Sequence, residues 1–211
     1  AEDVGASTFR IVLDMRTHDV EFDPACNGVN REYCSGPAFV LIDNGAGFRE
    51  QDWGALYKIF GSYVSKHTPG DIGRFGMGTR SYFAYTDVIT VVSNGQYRTV
   101  DPLELSGSTG WKHWAADVEA NMPSEAAVFH FPALGIETLE DIKGAMFRLP
   151  LRPEKYKQVD KNNGGFGPAV SPEDARVKMH RYVAQLARQM FFLSNVRTIE
   201  LFEWDAGADK P

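Results

Sequence analysis

The chain has 211 residues, 43% hydrophobic and 24% charged, which is enough to bury a real core and excludes wholesale disorder or a fibrous repeat. Twenty-two Lys and Arg against 28 Asp and Glu leave a formal net charge of −6, so the domain lacks the overall electrostatic footprint of a nucleic-acid binder. No apolar run is long enough to span a bilayer, and a membrane partner is not expected. The two cysteines, Cys26 and Cys34, share one polar loop with no Cys/His pair at metal-ligand spacing, which fits a reducing compartment, cytoplasmic or nuclear. The first residue is Ala1 with no basic and apolar leader behind it, so the chain reads as an excised part of something longer.

In chain order, Thr8–Asp14 alternates as a strand does, and Pro37–Ile42 is a short buried-type strand reached through a polar loop. Glu50–Phe60 reads as helical, and Thr79–Tyr85 as a second helical piece opening from a glycine-rich stretch. Asp87–Ser93 and Gln96–Val100 flank Asn94-Gly95, the dipeptide best suited to a two-residue type I′ hairpin. Gly107–Gly110 and Asp160–Gly167 are expected loops, while Ala127–Phe131 and Ala145–Leu151 read as strands. Ser171-Pro172-Glu173-Asp174 supplies an N-cap, a first-turn proline and acidic residues at the positive helix end. Met179, Tyr182, Val183, Leu186, Ala187, Met190 and Phe191 then form one apolar stripe, expected to pack on a sheet, before a last strand, Thr198–Trp204. The mixture is α+β, a single mixed or antiparallel sheet covered by helices.

Two glycine motifs carry the chemistry. Ile42-Asp43-Asn44-Gly45-Ala46-Gly47-Phe48 comes straight off a strand. Its plain reading is a turn; its functional reading is a carboxylate, Asp43, that accepts from a ligand amino group, with Gly45 and Gly47 letting the backbone pass beneath a flat ring. Gly73-Arg74-Phe75-Gly76-Met77-Gly78-Thr79 precedes a helix and is either a tight turn or an anion site whose N–H groups aim inward at phosphates. It is neither a Walker A loop nor a dinucleotide fingerprint, because the lysine and the glycine spacing are wrong.

The two motifs in this order resemble the Bergerat ATP-binding fold shared by gyrase, heat-shock chaperones of the ninety-kilodalton class, histidine kinases and MutL. Within that superfamily the chain is most similar to the sacsin family and its chaperone-like nucleotide-binding repeats. The likeness is carried by Ala1–Ser7, Gly61-Ser62, Val64–Lys66, Ile72–Gly78, Thr86–Val88, Asp101-Pro102, Gly144–Arg152 and Phe192–Trp204, and is weakest between Leu103 and Lys143. It implies a single domain over residues 1–211, a two-layer sandwich with a mixed, mostly antiparallel sheet covered by helices on one face. It further implies that Asp43 binds the adenine amino group, that Gly45 and Gly47 shape the pocket floor, and that Gly73, Arg74, Phe75, Gly76, Met77 and Gly78 meet the phosphates. Ser62 and Lys66 match the mobile lid before that loop; Lys66 either reaches phosphate oxygens or is a solvated surface lysine.

Three departures accompany the likeness. The family helix carries a Glu that positions water and then Asn-Ala-x-Asp-Ala, whose Asn holds Mg²⁺; here the match starts at Ala1, so Asp3 corresponds to that Asp, and the motif's Glu and Asn would both lie before the first residue. Val4 stands where the family has alanine, and Ala145 where many relatives have threonine. The resemblance therefore implies ATP or ADP as ligand, Mg²⁺ in the intact parent only, no catalytic residue within the chain, and negligible hydrolysis. The parent would be chaperone-like, with other domains of a larger chain or client proteins as partners. The alternatives are a degenerate domain of the same ancestry serving as a non-catalytic interaction module, and an unrelated enzyme using the Asp-Gly turn as a hairpin. The five histidines share no spacing, and His130 reads as a packed or hydrogen-bonded strand residue. The cysteines read as inert loop thiols and the four tryptophans as packing residues.

Overall fold

The computed structural model describes residues 4–20, 34–57, 81–103, 110–154 and 167–207. Seven strands form one sheet: β1 (Thr8–Asp14), β2 (Ala38–Asp43), β3 (Ile89–Ser93), β4 (Gln96–Val100), β5 (Gly110–Trp114), β6 (Ala145–Pro150) and β7 (Thr198–Trp204). Their spatial order is β5-β4-β3-β6-β2-β1-β7. Every neighbouring pair is antiparallel except β1 and β7, which run parallel from Thr8↔Thr198 to Asp14↔Trp204. The helices are α1 (Glu50–Tyr57), α2 (Ala115–Asn121), α3 (Pro123–Ala127) and α4 (Pro172–Met190). None of the described helices is long and apolar enough to cross a membrane.

The sheet is buried on both faces. Ile11, Leu13, Phe39, Val91, Phe147 and Leu149 pack with Trp53 and Leu56 of α1 and Ala175 and Met179 of α4 on the front. Val12, Val40, Ile42, Val92, Tyr97 and Met146 pack on the back with Ala115 and Val118 of α2, Ala126 of α3 and the segment from Phe129 to Ile142. The expected two-layer sandwich with helices on one face is thereby corrected to three layers. The reason is legible in the strands: β3 and β6 are buried at every position. A strand covered on both faces loses the alternation that marks a one-sided sheet.

Ala127–Phe131, expected as a strand, is instead the end of α3 and a turn. Pro123 starts that helix, and Val128, Phe129 and Phe131 face the back core from irregular backbone, with Phe131 making only an isolated bridge to Ile136. Its apolar density comes from packing inward, not from pairing. Of the loops expected at Gly107–Gly110 and Asp160–Gly167, residues 107–109 and 160–166 lie outside the described residues; Gly110 opens β5, a strand the sequence reading missed. The hairpin prediction holds: Asn94 and Gly95 have φ of 49° and 71°, the two positive values a type I′ turn requires. Ser81–Tyr82 is helical and continues as a turn to Tyr85.

At the start of α4, the Asp174 N–H donates to Ser171 Oγ at 3.0 Å, as the N-cap reading requires. The stripe along α4 divides, however. Met179 and Leu186 are buried and Tyr182 packs against the front core, but Val183 and Phe191 are exposed.

Two buried ionic groups fix the strand ends. Arg152 follows β6 and donates to Asp87 Oδ1 at 2.8 Å and to the carbonyls of Phe83, Thr86 and Pro168 at 2.7, 3.0 and 2.9 Å. Asp14, at the end of β1, accepts from Arg16 Nε at 2.8 Å and Nη2 at 3.0 Å and lies 3.5 Å from His18 Nε2. The Arg16 guanidinium is held between the rings of Phe131 and Trp204, 4.8 and 4.9 Å from their centroids.

Burial alone would raise the Asp14 carboxyl. The hydrogen bonds from His18 and Arg16, and the charges of Arg16 and Arg148, outweigh it and bring the group down to about 2. Because the folded value lies below the ordinary 3.8, the ionised carboxylate stabilises the fold above that value, and this is lost as pH falls from 3.8 through 2. Urea unfolding followed across that window is expected to show about 2 kcal/mol of acid-linked loss that is absent in Asp14→Asn. An identical acid slope in both proteins would contradict this account.

Candidate functional site

Asp43 is the last residue of β2, paired with Phe9 of β1 and Ala145 of β6. Phe39, Leu41 and Asp43 share the front face by strand alternation, so the carboxylate lies on the side covered by α1 and α4. It is 7% exposed, and its Oδ1 accepts the Gly45 N–H at 2.9 Å. Its charge is felt by Tyr82, whose hydroxyl is pushed up to about 12, first by burial and then by Asp43.

The loop after Asp43 is locked from three sides. From the N-terminal side, the Ala46 N–H donates to the Val4 carbonyl at 3.1 Å. Asn44 Oδ1 accepts the N–H groups of Ser7 and Thr8 at 3.0 and 2.9 Å, so its side chain serves the turn. From the β3–β4 hairpin, Ser93 Oγ accepts the Phe48 N–H at 2.9 Å and donates to the Gly144 carbonyl at 2.6 Å. Asn94 Nδ2 donates to the carbonyls of Phe48 and Ala46 at 2.8 and 3.2 Å. From β6, Gly144 lies so close that a Cβ there would run into the Asp43 carbonyl and stand 2.7 Å from its Oδ1.

The two glycines of the motif are both required by space. A Cβ on Gly45 would lie 2.5 Å from Val4 Cγ2. Gly47 has φ of 71°, and a Cβ on it would lie 2.7 Å from Asn94 Oδ1 and 2.8 Å from Ser93 Oγ. Phe48 then packs against Trp53 and Phe147, with ring centroids 4.7 and 5.7 Å apart. Tyr82 joins at 5.5 Å from Phe147, and the Arg98 guanidinium lies 4.5 Å above Trp53. The arrangement presents a buried carboxylate at a strand end, beside glycines against which Val4, Ser93, Asn94 and Asp43 itself are tightly packed.

Of the residues expected to form a site, Asp43, Gly45 and Gly47 come together as described. Asp3, Ser62, Lys66, Gly73, Arg74, Phe75, Gly76, Met77 and Gly78 lie outside the described residues, as do Cys26 and His67. The sequence reading missed the clamp made by Ser93, Asn94 and Gly144. Asn94 was read only as a turn former, although an Asn-Gly hairpin tip also leaves one amide side chain available to hold a neighbouring loop. Ala145, the departure from threonine, lies in the row Asp43–Ala145–Ser93 across three adjacent strands. The nearest hydroxyl in that row belongs to Ser93 and is committed to the loop.

A cleft of about 160 Å³ opens on the back face between Arg10, Ile42, Leu134, Ile136 and Lys143, with Asp43 and Asn44 in its wall. It is too small for a nucleotide, and Arg10 within it donates to Glu200 at 2.6 Å and to the Leu134 carbonyl at 3.3 Å. Among the described residues no group of three or more His, Cys, Asp or Glu is placed to hold a metal ion. His130 is half-buried in a turn rather than a strand, 3.0 Å from Glu119. Cys34 is buried, and its carbonyl accepts from Arg148.

The Sacsin domain family model matches residues 1–211, and the chain belongs to that family. It is 29% identical over 220 residues to Sacsin of Homo sapiens, an alignment that covers 100% of this chain and 4% of that protein.

The close approach at Gly144 has a measurable cost. Gly144→Ala is expected to destabilise the protein by about 1–3 kcal/mol in urea unfolding, because neither the Asp43 backbone nor its carboxylate can give way. Gly54→Ala, in α1 with nothing within 4 Å of the added Cβ, is expected to raise stability by about 0.5–1 kcal/mol. Equal effects at the two positions would show that Asp43 is not held by this contact.

Proposed function

We propose that this Sacsin-family chain binds ATP or ADP at the front face of its sheet, in a site of Bergerat type, with the adenine amino group donating to Asp43. The single observation that carries the reading is the buried strand-end carboxylate of Asp43, set beside Gly45, Gly47 and Gly144, whose lack of a side chain lets the surrounding chain pack closely around it. A flat, apolar ring bearing one exocyclic amino group suits such a place: the ring requires close backbone approach, and the amino group requires a buried acceptor. The phosphates would be met by the N–H groups of the Gly73–Gly78 loop, which follows α1 in the chain and precedes β3. Arg74, Ser62 and Lys66 would supply further donors, Asp3 would belong to the same pocket wall, and Mg²⁺ would accompany the phosphates in the intact parent. Within a longer, chaperone-like protein, occupancy of this site would bias the conformation of neighbouring domains or their hold on client proteins. No described residue is assigned a role in hydrolysis.

A second reading, a domain of the same ancestry that acts as an interaction module, is favoured by Ala145. It leaves the position beside Asp43 without the hydroxyl that a threonine would offer to the adenine edge.

Thermal unfolding with and without Mg-ATP and Mg-ADP separates the two. At about 100 times the dissociation constant a ligand adds about 2.7 kcal/mol to the native state, a rise of roughly 5–10 °C for a domain of this size. Asp43→Asn keeps the acceptor for the Gly45 N–H but cannot pair in the same way with an amino group, so its shift is expected to vanish. A shift retained in Asp43→Asn would remove the adenine assignment; none in the unaltered chain with either nucleotide would favour the interaction module.

A further inference from the structure

The edge of the sheet at β7 combines three features that the nucleotide reading does not use. β7 is the last strand among the described residues, seven residues long, with Ile199, Leu201 and Phe202 only half-buried. A long edge with apolar side chains is a template for pairing; β7 contains no lysine, proline or bulge, and its two charged residues, Glu200 and Glu203, are taken up by Arg10 and by Arg176 and His180 of the same chain. α4 runs antiparallel along this edge: Arg176 Nε donates to Glu203 Oε2 at 3.0 Å, and His180 Nε2 lies 2.7 Å from Glu203 Oε1. Continuing the helical stripe from Arg176 and His180 leads to Val183 and, just past the helix end, to Phe191. Val183 is 44% exposed, Phe191 88% and the next residue, Phe192, 79%.

We propose that this edge is an interface between two copies of the chain, joined by antiparallel pairing of β7 with its counterpart about a two-fold axis at Leu201. The charges select this arrangement. Antiparallel pairing centred on Leu201 sets Glu200 opposite Phe202 and Glu203 opposite Ile199 of the other copy, so that no carboxylate faces a carboxylate. Parallel in-register pairing would stack each glutamate on its equivalent.

The helix geometry agrees. With rises of about 1.5 Å per residue in a helix and about 3.3 Å in a strand, the pairing of Arg176 and His180 with Glu203 places Val183 level with Leu201. The two Val183 side chains therefore meet at the axis, apolar against apolar, as an isologous contact requires.

The area is sufficient. An aromatic side chain buries roughly 150–250 Å², so the four phenylalanines at positions 191 and 192 of two copies supply roughly 600–1,000 Å². The paired strands and the Val183 contact bring the total above the roughly 1,000 Å² that separates a specific interface from an incidental one.

The test uses the nucleotide-free chain, so it stands or falls apart from the ligand reading. Sedimentation velocity across the micromolar range is expected to show a monomer–dimer equilibrium. Val183→Arg is expected to raise the dissociation constant about tenfold or more, whereas Val177→Arg, equally exposed on the same helix but outside the stripe, leaves it unchanged. The pair Phe191→Ser and Phe192→Ser is expected to act as Val183→Arg does, and all variants keep the monomer's circular dichroism spectrum because the sites are exposed. Hydrogen exchange is expected to show the amides of Thr198–Trp204 gaining protection as concentration rises. The proposal is overturned by a chain that stays monomeric throughout, by equal effects of Val183→Arg and Val177→Arg, or by a dimer in which exchange in β7 does not change.

Discussion

The guanidinium of Arg152 sets the frame in which Asp43 is held. It is sealed from water with Asp87, and its donors reach three carbonyls of the Phe83–Thr86 turn and the segment before α4. Its own backbone closes the junction, since its N–H donates to Tyr85 and its carbonyl accepts from Val170. A charge buried this deeply is tolerated only because every side is satisfied. Arg152 lies just past the end of β6 and Asp87 just before β3, so the pair fixes the relative position of these neighbouring strands from one end. At their other end stand Gly144, Ala145 and Ser93, which flank Asp43. The register that aligns this row is thus anchored on the far side of the sheet from the candidate site.

The same economy governs the site itself. Nothing rigid is inserted to hold Asp43; instead side chains are absent at Gly45, Gly47 and Gly144, and the space is closed by the side chains of Val4, Ser93 and Asn94 and by Asp43 itself. The cost of so much glycine is conformational entropy. It is offset by hydrogen bonds that tie the loop to Val4, Ser93 and Asn94, residues distant from it in sequence. Beneath the loop, Phe48, Trp53, Tyr82 and Phe147 supply an aromatic floor whose packing does not depend on any ligand.

Much of this was legible in the sequence where a local signal coincides with the final contact. Asn94-Gly95 forces positive φ, Ser171-Pro172 caps a helix, and Thr8–Asp14 alternates, so these elements fall where expected. The departures have a common physical origin. In Ala127–Phe131 a run of apolar residues is buried without being paired, and apolar content alone does not separate a strand from a turn pressed into a core. The back layer of α2 and α3 escaped notice because these helices are short and carry few apolar residues each. The periodicity along α4 was read as one core-facing stripe, whereas Ala175, Met179, Tyr182 and Leu186 point inward and Val183 and Phe191 are exposed. For the site, Asp43 and its glycines announce themselves as a motif, but Ser93 and Gly144 reach it only through strand pairing, which no local pattern encodes.

The one parallel pair in the sheet has a consequence for how the molecule is made. β1 and β7 join residues about 190 positions apart, with Arg10 and Glu200 bonded across the pair. Pairing at such separation is slow, because the closure of a long loop must precede any reward from the contact. During synthesis β1 emerges about 190 residues ahead of β7, and its outer edge waits for that strand to be made. Until then its edge and the rim of the front core stay open to other chains. The interval before β7 arrives is accordingly a period when a nascent chain is exposed to misassembly, and it closes only when β7 itself has left the ribosome.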